Sequence, residues 1–241
     1  MIQYIRTLIF YLFYIQSFVI LGLVALLVWP FPFRVRYKII TLWNKFALFI
    51  AKHIAGVDYN IVGLENIPRD QPYVVLCKHQ SAWETIFTQI YFEPISTILK
   101  KELLRIPFFG WGLALLKPIP IDRSKPRDAI RKIQKEGLER IAEGINVLIF
   151  PEGTRIPAGQ IGSYARGGAE IACAAGVSIL PVAHNAGELW PVSKTLKTRG
   201  RLTVVIGKPI PTAGRNSKEL TEEVKNWIEN EIQKMPKAAK D

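Results

Sequence analysis

The amino-terminal part of the chain carries two long helical patterns of different character. From Thr7 to Val28 no residue is charged, and the run is long enough for a membrane-crossing helix, which needs roughly 20 residues. From Arg34 to Ala55 apolar and aromatic residues recur at helical spacing, while Lys38, Lys45 and Lys52 repeat on another face. The second pattern predicts an amphipathic helix, lying either in the interface of an anionic membrane or against the rest of the protein.

From residue 56 onward, short apolar runs alternate with stretches of helical periodicity. Gly56 stands where glycine commonly ends a helix. The runs that predict strands are 57–62, 73–76, 95–99, 118–121, 146–150, 177–182 and 201–206. Strands alternating with helices predict an α/β domain with a mostly parallel central sheet flanked by helices, preceded by a two-helix membrane-associating element. We therefore divide the chain into residues 1–55 and 56–241. The last predicted helix covers 217–234, and lysine-rich residues 237–240 predict a frayed end.

Composition narrows the class of partner. The chain has 241 residues, a formal charge of +12 and a pI near 9.7, which indicates an anionic partner such as nucleic acid, a membrane or a phosphorylated substrate. Apolar residues make up 49% and mean hydropathy is +0.15, which favours an anionic phospholipid membrane and argues against nucleic acid. Three basic residues, Arg34, Arg36 and Lys38, follow the uncharged run, and only Arg6 and the amino terminus precede it. The positive-inside tendency therefore predicts a cytoplasmic location for the body.

Cysteines and histidines are few. Cys77 and Cys173 form no CxxC pair and are expected to be buried, reduced thiols. His53, His79 and His184 are too scattered to predict a metal site. No GxGxxG or P-loop motif is present, so we expect neither a metal nor a cofactor.

A histidine and a glutamate five positions apart follow the apolar run 73–76. Within one helix that separation would turn the side chains of His79 and Glu84 roughly 140° apart. They can meet if His79 lies on a turn and Glu84 on the first helical turn. The carboxylate would then hold one imidazole nitrogen while the other takes a proton from an attacking hydroxyl. The spacing alone is a weak signal, and the alternative is a satisfied loop histidine beside a solvated glutamate.

Further polar residues follow other predicted strands. Lys101 comes after the strand 95–99, and Glu152, Gly153 and Arg155 come after the strand 146–150. Glycine permits a tight turn, and a guanidinium can grip phosphate oxygens two at a time. Ligands of open α/β sheets gather at the carboxyl ends of strands. The sequence therefore predicts that these side chains converge with His79, although a surface lysine and a surface salt bridge are the alternatives.

Four blocks in this order resemble those of the glycerolipid acyltransferases, and most closely the bacterial 1-acyl-sn-glycerol-3-phosphate acyltransferases. The resemblance covers nearly the whole chain, including the amino-terminal two-helix element. The blocks are His79-x4-Glu84, Lys101-Glu102-Leu103 with residues 106–110, Phe150-Pro151-Glu152-Gly153-Thr154-Arg155, and residues 179–182.

The resemblance implies transfer of an acyl chain from acyl carrier protein or coenzyme A to the 2-hydroxyl of lysophosphatidic acid, giving phosphatidic acid. It implies that His79 is the general base and Glu84 its orienting carboxylate. Lys101 and Arg155 would bind the substrate phosphate, and Glu152 and Gly153 would shape the turn beside the acceptor. It also implies a membrane location, expected to be the bacterial inner membrane, and thioesters as co-substrates rather than cofactors.

One departure and three alternatives stand beside this interpretation. The usual first block ends in Asp, whereas this chain has Glu84, one methylene longer. A related enzyme could act on glycerol 3-phosphate, another lysophospholipid or an aminolipid. A non-catalytic protein could use the basic helix to bind anionic membranes. A hydrolase with Cys77 or Ser81 as nucleophile would lack the expected glycine pattern of a nucleophile elbow.

Overall fold

The computed structural model describes residues 1–238, and its amino-terminal part is a helical hairpin. Helix α1 covers Ile2–Val28 and α2 covers Phe33–Ile50. A π-helical turn, Ala51–Ala55, continues α2 as far as Gly56. Gly56 has a left-handed φ of 77°, which glycine adopts without steric penalty, and it ends the helix as predicted.

The rest of the chain alternates strands and helices. The strands are β1 (Val57–Val62), β2 (Val74–Cys77), β3 (Ile95–Lys100), β4 (Ile119–Ile121), β5 (Asn146–Ile149), β6 (Ile179–His184) and β7 (Gly200–Ile206). The helices are α3 (Trp83–Tyr91), α4 (Phe109–Ala114), α5 (Pro126–Ala142), α6 (Gly167–Ala175) and α7 (Ser217–Lys234). The bounds of β1 and α7 are those predicted, whereas β6 lies two residues later at each end.

The seven strands form one mixed, mostly parallel sheet, which confirms the predicted fold class. Their order is β1-β7-β6-β2-β5-β3-β4. From β6 to β4 the strands are parallel, β7 is antiparallel to β6, and β1 is parallel to β7. The segment 185–199 between β6 and β7 contains only the helical turn Ala186–Glu188. Since it has no crossover helix, β7 returns antiparallel.

A hydrophobic layer covers each face of the sheet. Helices α2 and α3 pack over one face, where Val75 and Leu148 point, and α1 packs against α2. Helices α5, α6 and α7 cover the other face, where Val74 and Val147 point. Neighbouring residues of a strand alternate between faces, so a short apolar run supplies both layers. The first two helices share a core with the sheet, and a domain boundary near residue 56 stays a prediction.

Helix α1 crosses the carboxyl edge of the sheet, which we define as the edge where β2, β3, β5 and β6 end. Near its start, Gln3 Nε2 donates to the carbonyls of Ala55 and Lys197, each at 2.9 Å. Near its end, Gly22 lies so close to α4 that a Cβ there would stand 2.6 Å from Phe108. Both ends of α1 are therefore docked on the α/β body.

The outward faces of α1 and α2 expose large apolar side chains. They include Leu8, Leu12, Phe13, Ile20, Leu27, Leu42, Phe46 and Phe49. Among residues 1–238, α1 is the one helix long and apolar enough to cross a membrane, and a single such helix near the amino terminus is a weak sign of membrane association.

The predicted frayed end is wrong as far as residue 238. The backbone N–H of Ala238 donates to Glu188 Oε2 at 2.8 Å, and Asn185 Nδ2 donates to the carbonyl of Pro236 at 3.1 Å. Ala238 is buried. The remainder of that prediction, residues 239–240, lies outside the described residues.

Candidate active site

The pairing of His79 and Glu84 forms as the local sequence predicts. His79 lies on the turn after β2, and Glu84 is the second residue of α3. His79 Nδ1 and Glu84 Oε1 are 2.8 Å apart, and the side chains are 11% and 1% exposed. The backbone N–H groups of Gln80 and Ser81 donate to the same oxygen at 2.9 and 2.8 Å. The carboxylate therefore holds both the imidazole and the turn that carries it.

The charge on Glu84 sets the tautomer of His79. Burial raises the pKa of this carboxyl, but His184, His79 and the Ser81 N–H together lower it below its usual value. An ionised carboxylate only accepts hydrogen bonds, so the proton of His79 lies on Nδ1 and the lone pair on Nε2. Within residues 1–238, no protein group bonds to Nε2. A lone pair in this position can accept a proton from a substrate hydroxyl.

The segment that follows β5 also holds the imidazole and the backbone of His79 in place. Its ring stacks on that of Phe150, with centroids 4.0 Å apart and planes at 16°. The N–H of His79 donates to Glu152 Oε2 at 2.8 Å, and the N–H of Ile156 donates to the carbonyl of His79 at 2.8 Å. The segment after β5 therefore grips the turn after β2 through ring, carboxylate and backbone.

Glu152 belongs to a buried charge cluster that local sequence patterns did not predict. Lys78 Nζ lies 2.7 Å from Glu152 Oε1 and 2.7 Å from Glu229 Oε1, and the Lys78 side chain is 0% exposed. Tyr164 donates its hydroxyl proton to Glu229 at 2.9 Å. Burial raises the pKa of Glu152, against the opposing effects of Lys78 and the His79 N–H. Both carboxylate oxygens of Glu152 are thus occupied by protein groups.

A second imidazole lies behind the first. His184, the last residue of β6, accepts the N–H of Ala186 on Nδ1 at 3.2 Å, so its Nε2–H donates to the carbonyl of Lys78 at 2.8 Å. Burial lowers the pKa of His184, against the opposing effects of Glu84 and the Lys78 carbonyl. Glu84 Oε2 lies 3.9 Å from His184 Nε2 and has no hydrogen-bond partner among the described residues. The backbone of Lys78 is therefore held independently of its side chain.

The residues predicted to bind phosphate lie in two places. Gly153, with φ of 66°, makes the turn after β5, and Arg155 is exposed beyond it. Arg155 and Ala82, which belongs to the turn of His79, line one cavity of about 270 Å³. Lys101 follows β3, two strands from β2, and forms an ion pair with Asp122. Lys101 is absent from the described lining of that cavity.

Sequence reasoning missed three groups that complete the site: Lys78, His184 and Glu229. Lys78 stands beside His79 in the first block, and a charged residue directly after an apolar strand was the available signal. Glu229 lies 151 residues further along, in a helix of polar composition, and no local pattern marks it. Within residues 1–238, no group of three or more His, Cys, Asp or Glu side chains is arranged to hold a metal.

Three comparisons identify the family. A model of the Acyltransferase family matches residues 47–185. The 1-acyl-sn-glycerol-3-phosphate acyltransferase of Pseudomonas aeruginosa is 47% identical over 232 residues, which cover 94% of this chain and 90% of that protein. A chloroplastic 1-acyl-sn-glycerol-3-phosphate acyltransferase of Arabidopsis thaliana is 32% identical, over 69% of this chain and 49% of that protein.

The fold comparison agrees. The crystal structure of the 1-acyl-sn-glycerophosphate acyltransferase PlsC from Thermotoga maritima matches with a TM-score of 0.81 and 26% identity. The match covers 96% of this chain and 95% of that one. Sequence and fold therefore agree, over nearly the whole length, that this chain belongs to the acyltransferase family.

Proposed function

We propose that the protein transfers a fatty acyl chain from a thioester to the 2-hydroxyl of 1-acyl-sn-glycerol 3-phosphate, giving phosphatidic acid for phospholipid biosynthesis. The observation that carries the proposal is the buried His79–Glu84 pair, in which Nδ1 and Oε1 are 2.8 Å apart and His79 Nε2 has no protein partner among residues 1–238. The names of the relatives support the choice of acceptor.

The chemistry needs no nucleophile from the protein. His79 Nε2 takes the proton of the 2-hydroxyl while its oxygen attacks the thioester carbonyl. The tetrahedral intermediate then collapses as the C–S bond breaks, and the imidazolium returns the proton to the leaving thiolate. Glu84 stabilises the imidazolium that forms in between. A carboxylate one methylene longer than the usual Asp still reaches the imidazole.

The two side chains of the rival hydrolase are poorly suited to attack. Cys77 is fully buried, and burial raises the pKa of its thiol well above the usual value. A thiol with a raised pKa is a poor nucleophile at neutral pH. Ser81 donates its hydroxyl proton to the carbonyl of Trp190 at 2.7 Å and accepts the N–H of Trp83. Ser81 therefore serves the structure of the turn.

In this proposal Arg155 binds the phosphate of the substrate. Arg155 is exposed, lies in the segment that grips His79, and presents a guanidinium suited to phosphate oxygens. Glu152 holds the turn, since neither of its oxygens is available to a substrate. Lys101 stays a candidate for the same phosphate, although its ion pair with Asp122 reduces the charge it offers.

We further propose that the exposed apolar faces of α1 and α2 insert into an anionic membrane on its cytoplasmic side, expected to be the bacterial inner membrane. Because both ends of α1 are docked on the body, an arrangement in which the hairpin enters and returns on one side is favoured over a crossing helix. The acyl donor is acyl carrier protein or a coenzyme A thioester, and no cofactor takes part.

A panel of acceptors tests the proposal. Purified protein in phospholipid vesicles is given acyl carrier protein or coenzyme A thioesters and one acceptor at a time: 1-acyl-sn-glycerol 3-phosphate, glycerol 3-phosphate, a lysophospholipid with a substituted phosphate, or a lyso-aminolipid. We expect the highest kcat/KM with the first. A clear preference for another acceptor would contradict the substrate, and vesicle binding without transfer to any acceptor would favour the non-catalytic alternative.

A further inference from the structure

The cavity beside the catalytic turn is lined by two lysines to which the reaction described so far gives no role. Besides Arg155, it is lined by Lys194 and Lys197, both in the segment between β6 and β7. Among residues 1–238, none of those that line it is an aspartate or a glutamate. Three positively charged side chains therefore line one cavity of about 270 Å³, and no carboxylate is among the described lining residues.

Lys197 is the unusual member of this group. The residue is 1% exposed, and Nζ lies 4.9 Å from the ring centroids of both Tyr11 and Trp190. Among the described residues, the side-chain Nζ of Lys197 donates one hydrogen bond, to the carbonyl of Thr195 at 2.9 Å, and no carboxylate pairs with it. Buried lysines are ordinarily paired. Burial lowers the pKa of Lys197 to about 8, so the charge is retained at neutral pH against an unfavourable environment.

Hydrogen bonds and aromatic packing connect the lining of this cavity to the turn that carries His79. Ser81 donates to the carbonyl of Trp190 at 2.7 Å, and Trp190 packs on Phe10 of α1 with centroids 5.2 Å apart. The N–H of Lys197 donates to Thr7 of the same helix at 3.3 Å. A group held in this cavity would therefore be close to His79 and beneath the membrane-facing helix.

We propose that this cavity binds a phosphate group of a substrate, with Arg155 and Lys194 as direct ligands and Lys197 as a buried positive charge that raises the local potential. Arg155 and Lys194 are exposed and can turn toward a ligand. A buried charge in the lining of the same cavity, 4.9 Å from two aromatic ring centroids, attracts an anion more strongly than a solvated lysine because water screens it less. The inference rests on the proposed function, since it names the group recognised there.

Two substrates could bring this phosphate. The acceptor carries a phosphomonoester, and both candidate donors carry the phosphodiester of a phosphopantetheine arm. The shared chemistry is a phosphate within reach of Arg155. Kinetics with a phosphate-free acceptor, 1-monoacylglycerol, separate the two sources.

The test uses the full-length protein with Lys197→Met or Lys194→Met, and Lys208→Met as control. Lys208 is exposed beyond the end of β7 that faces away from the carboxyl edge, so the control removes an equal charge elsewhere. If the acceptor supplies the phosphate, we expect the KM for 1-acyl-sn-glycerol 3-phosphate to rise about tenfold with no change for 1-monoacylglycerol. If the donor supplies it, we expect the KM for the thioester to rise with either acceptor. KM values within twofold of wild type for both variants overturn the inference.

A binding readout makes the result independent of turnover. Inorganic phosphate should raise the melting temperature of the wild type and of Lys208→Met, and not that of Lys197→Met or Lys194→Met. Because Lys194 is exposed, its variant folds even if Lys197→Met does not. Wild-type protein that is protected by phosphate but inactive on every acceptor would contradict the proposed function alone. Active wild-type protein whose variants keep full phosphate protection would contradict the cavity alone.

Discussion

The buried centre of the site and its exposed rim are built by different means. In the centre, Lys78, His79, Glu84 and Glu152 are nearly inaccessible, and the contacts that join them to each other and to the backbone of the turn measure 2.7–2.9 Å. On the rim, Arg155 is exposed and no hydrogen bond links it to the described residues. The centre therefore fixes geometry, because its groups cannot move without breaking desolvated contacts, while the rim supplies charge that a substrate can still use.

This contrast extends to the second cation predicted for the rim. Lys101 already has an anionic partner, Asp122, at the ends of β3 and β4. The cations around the cavity near Ala82 have no such partner among its lining residues. Lys101 and the cavity cations carry the same formal charge at one edge of the sheet, but the paired lysine attracts an anion less strongly than the unpaired cations do. Four substitutions, from the largest expected effect to the smallest, test the contrast.

Removing the base from the centre should have the largest effect. We expect His79→Ala to lower kcat by about 10²–10⁴, because general-base assistance to the hydroxyl is lost. The variant should remain folded and bound to vesicles, as judged by circular dichroism and flotation. His53→Ala is the matched control, because His53 is an exposed imidazole far from the turn of His79 along the chain. Near wild-type turnover of His79→Ala would contradict the role of the centre.

Removing the central cation should damage stability rather than recognition. Lys78→Met leaves Glu152 and Glu229 buried without their counter-charge, and breaking such a pair costs about 3–5 kcal/mol of unfolding free energy. Glu229→Gln is the control, because it keeps a hydrogen-bonding side chain and leaves Lys78 paired with Glu152. Denaturant unfolding in detergent measures both variants. Equal losses would mean that the charge of Lys78 is not what holds the centre.

Removing the rim guanidinium should act on one substrate. We expect Arg155→Ala to raise the KM for the phosphate acceptor by about ten- to a hundredfold, the effect of losing charge-assisted hydrogen bonds. Unfolding free energy should be unchanged, since the side chain is exposed. Arg155→Lys should recover part of the lost affinity for the acceptor, because an ammonium keeps the positive charge but not the two-pronged hydrogen bonding of a guanidinium. A change confined to the thioester's kinetics would contradict the assignment to the acceptor.

Removing the paired cation should have the smallest effect. We expect Lys101→Ala to change the KM for the acceptor by less than about fivefold, because exposed ion pairs are weak and Asp122 already screens this lysine. Asp122→Asn, which frees Lys101, is the companion variant and should lower that KM if the freed lysine reaches the phosphate. If Lys101→Ala raised the KM for the acceptor as much as Arg155→Ala, the two-cation phosphate site predicted from the sequence would be supported.

Features that depend on neighbouring residues were predictable. The pairing of His79 with Glu84 follows from strand, turn and helix, since these alone decide where two side chains five positions apart can point. The alternation of apolar runs and helical patterns predicted the sheet and the bounds of β1 and α7. Because the carboxyl ends of parallel strands share an edge, the sequence also indicated where Glu152 and Arg155 would lie.

Partnerships between distant segments were decided by the tertiary structure. Lys78 meets Glu229 across 151 positions and His184 across 106, and Lys197 is buried under α1 between two rings. A lysine or glutamate in a sequence is most simply interpreted as a solvated charge, because such residues are seldom buried. Only the packing of α7 and the β6–β7 segment against the sheet removes water from them, and desolvation is what turns a solvated charge into a structural one.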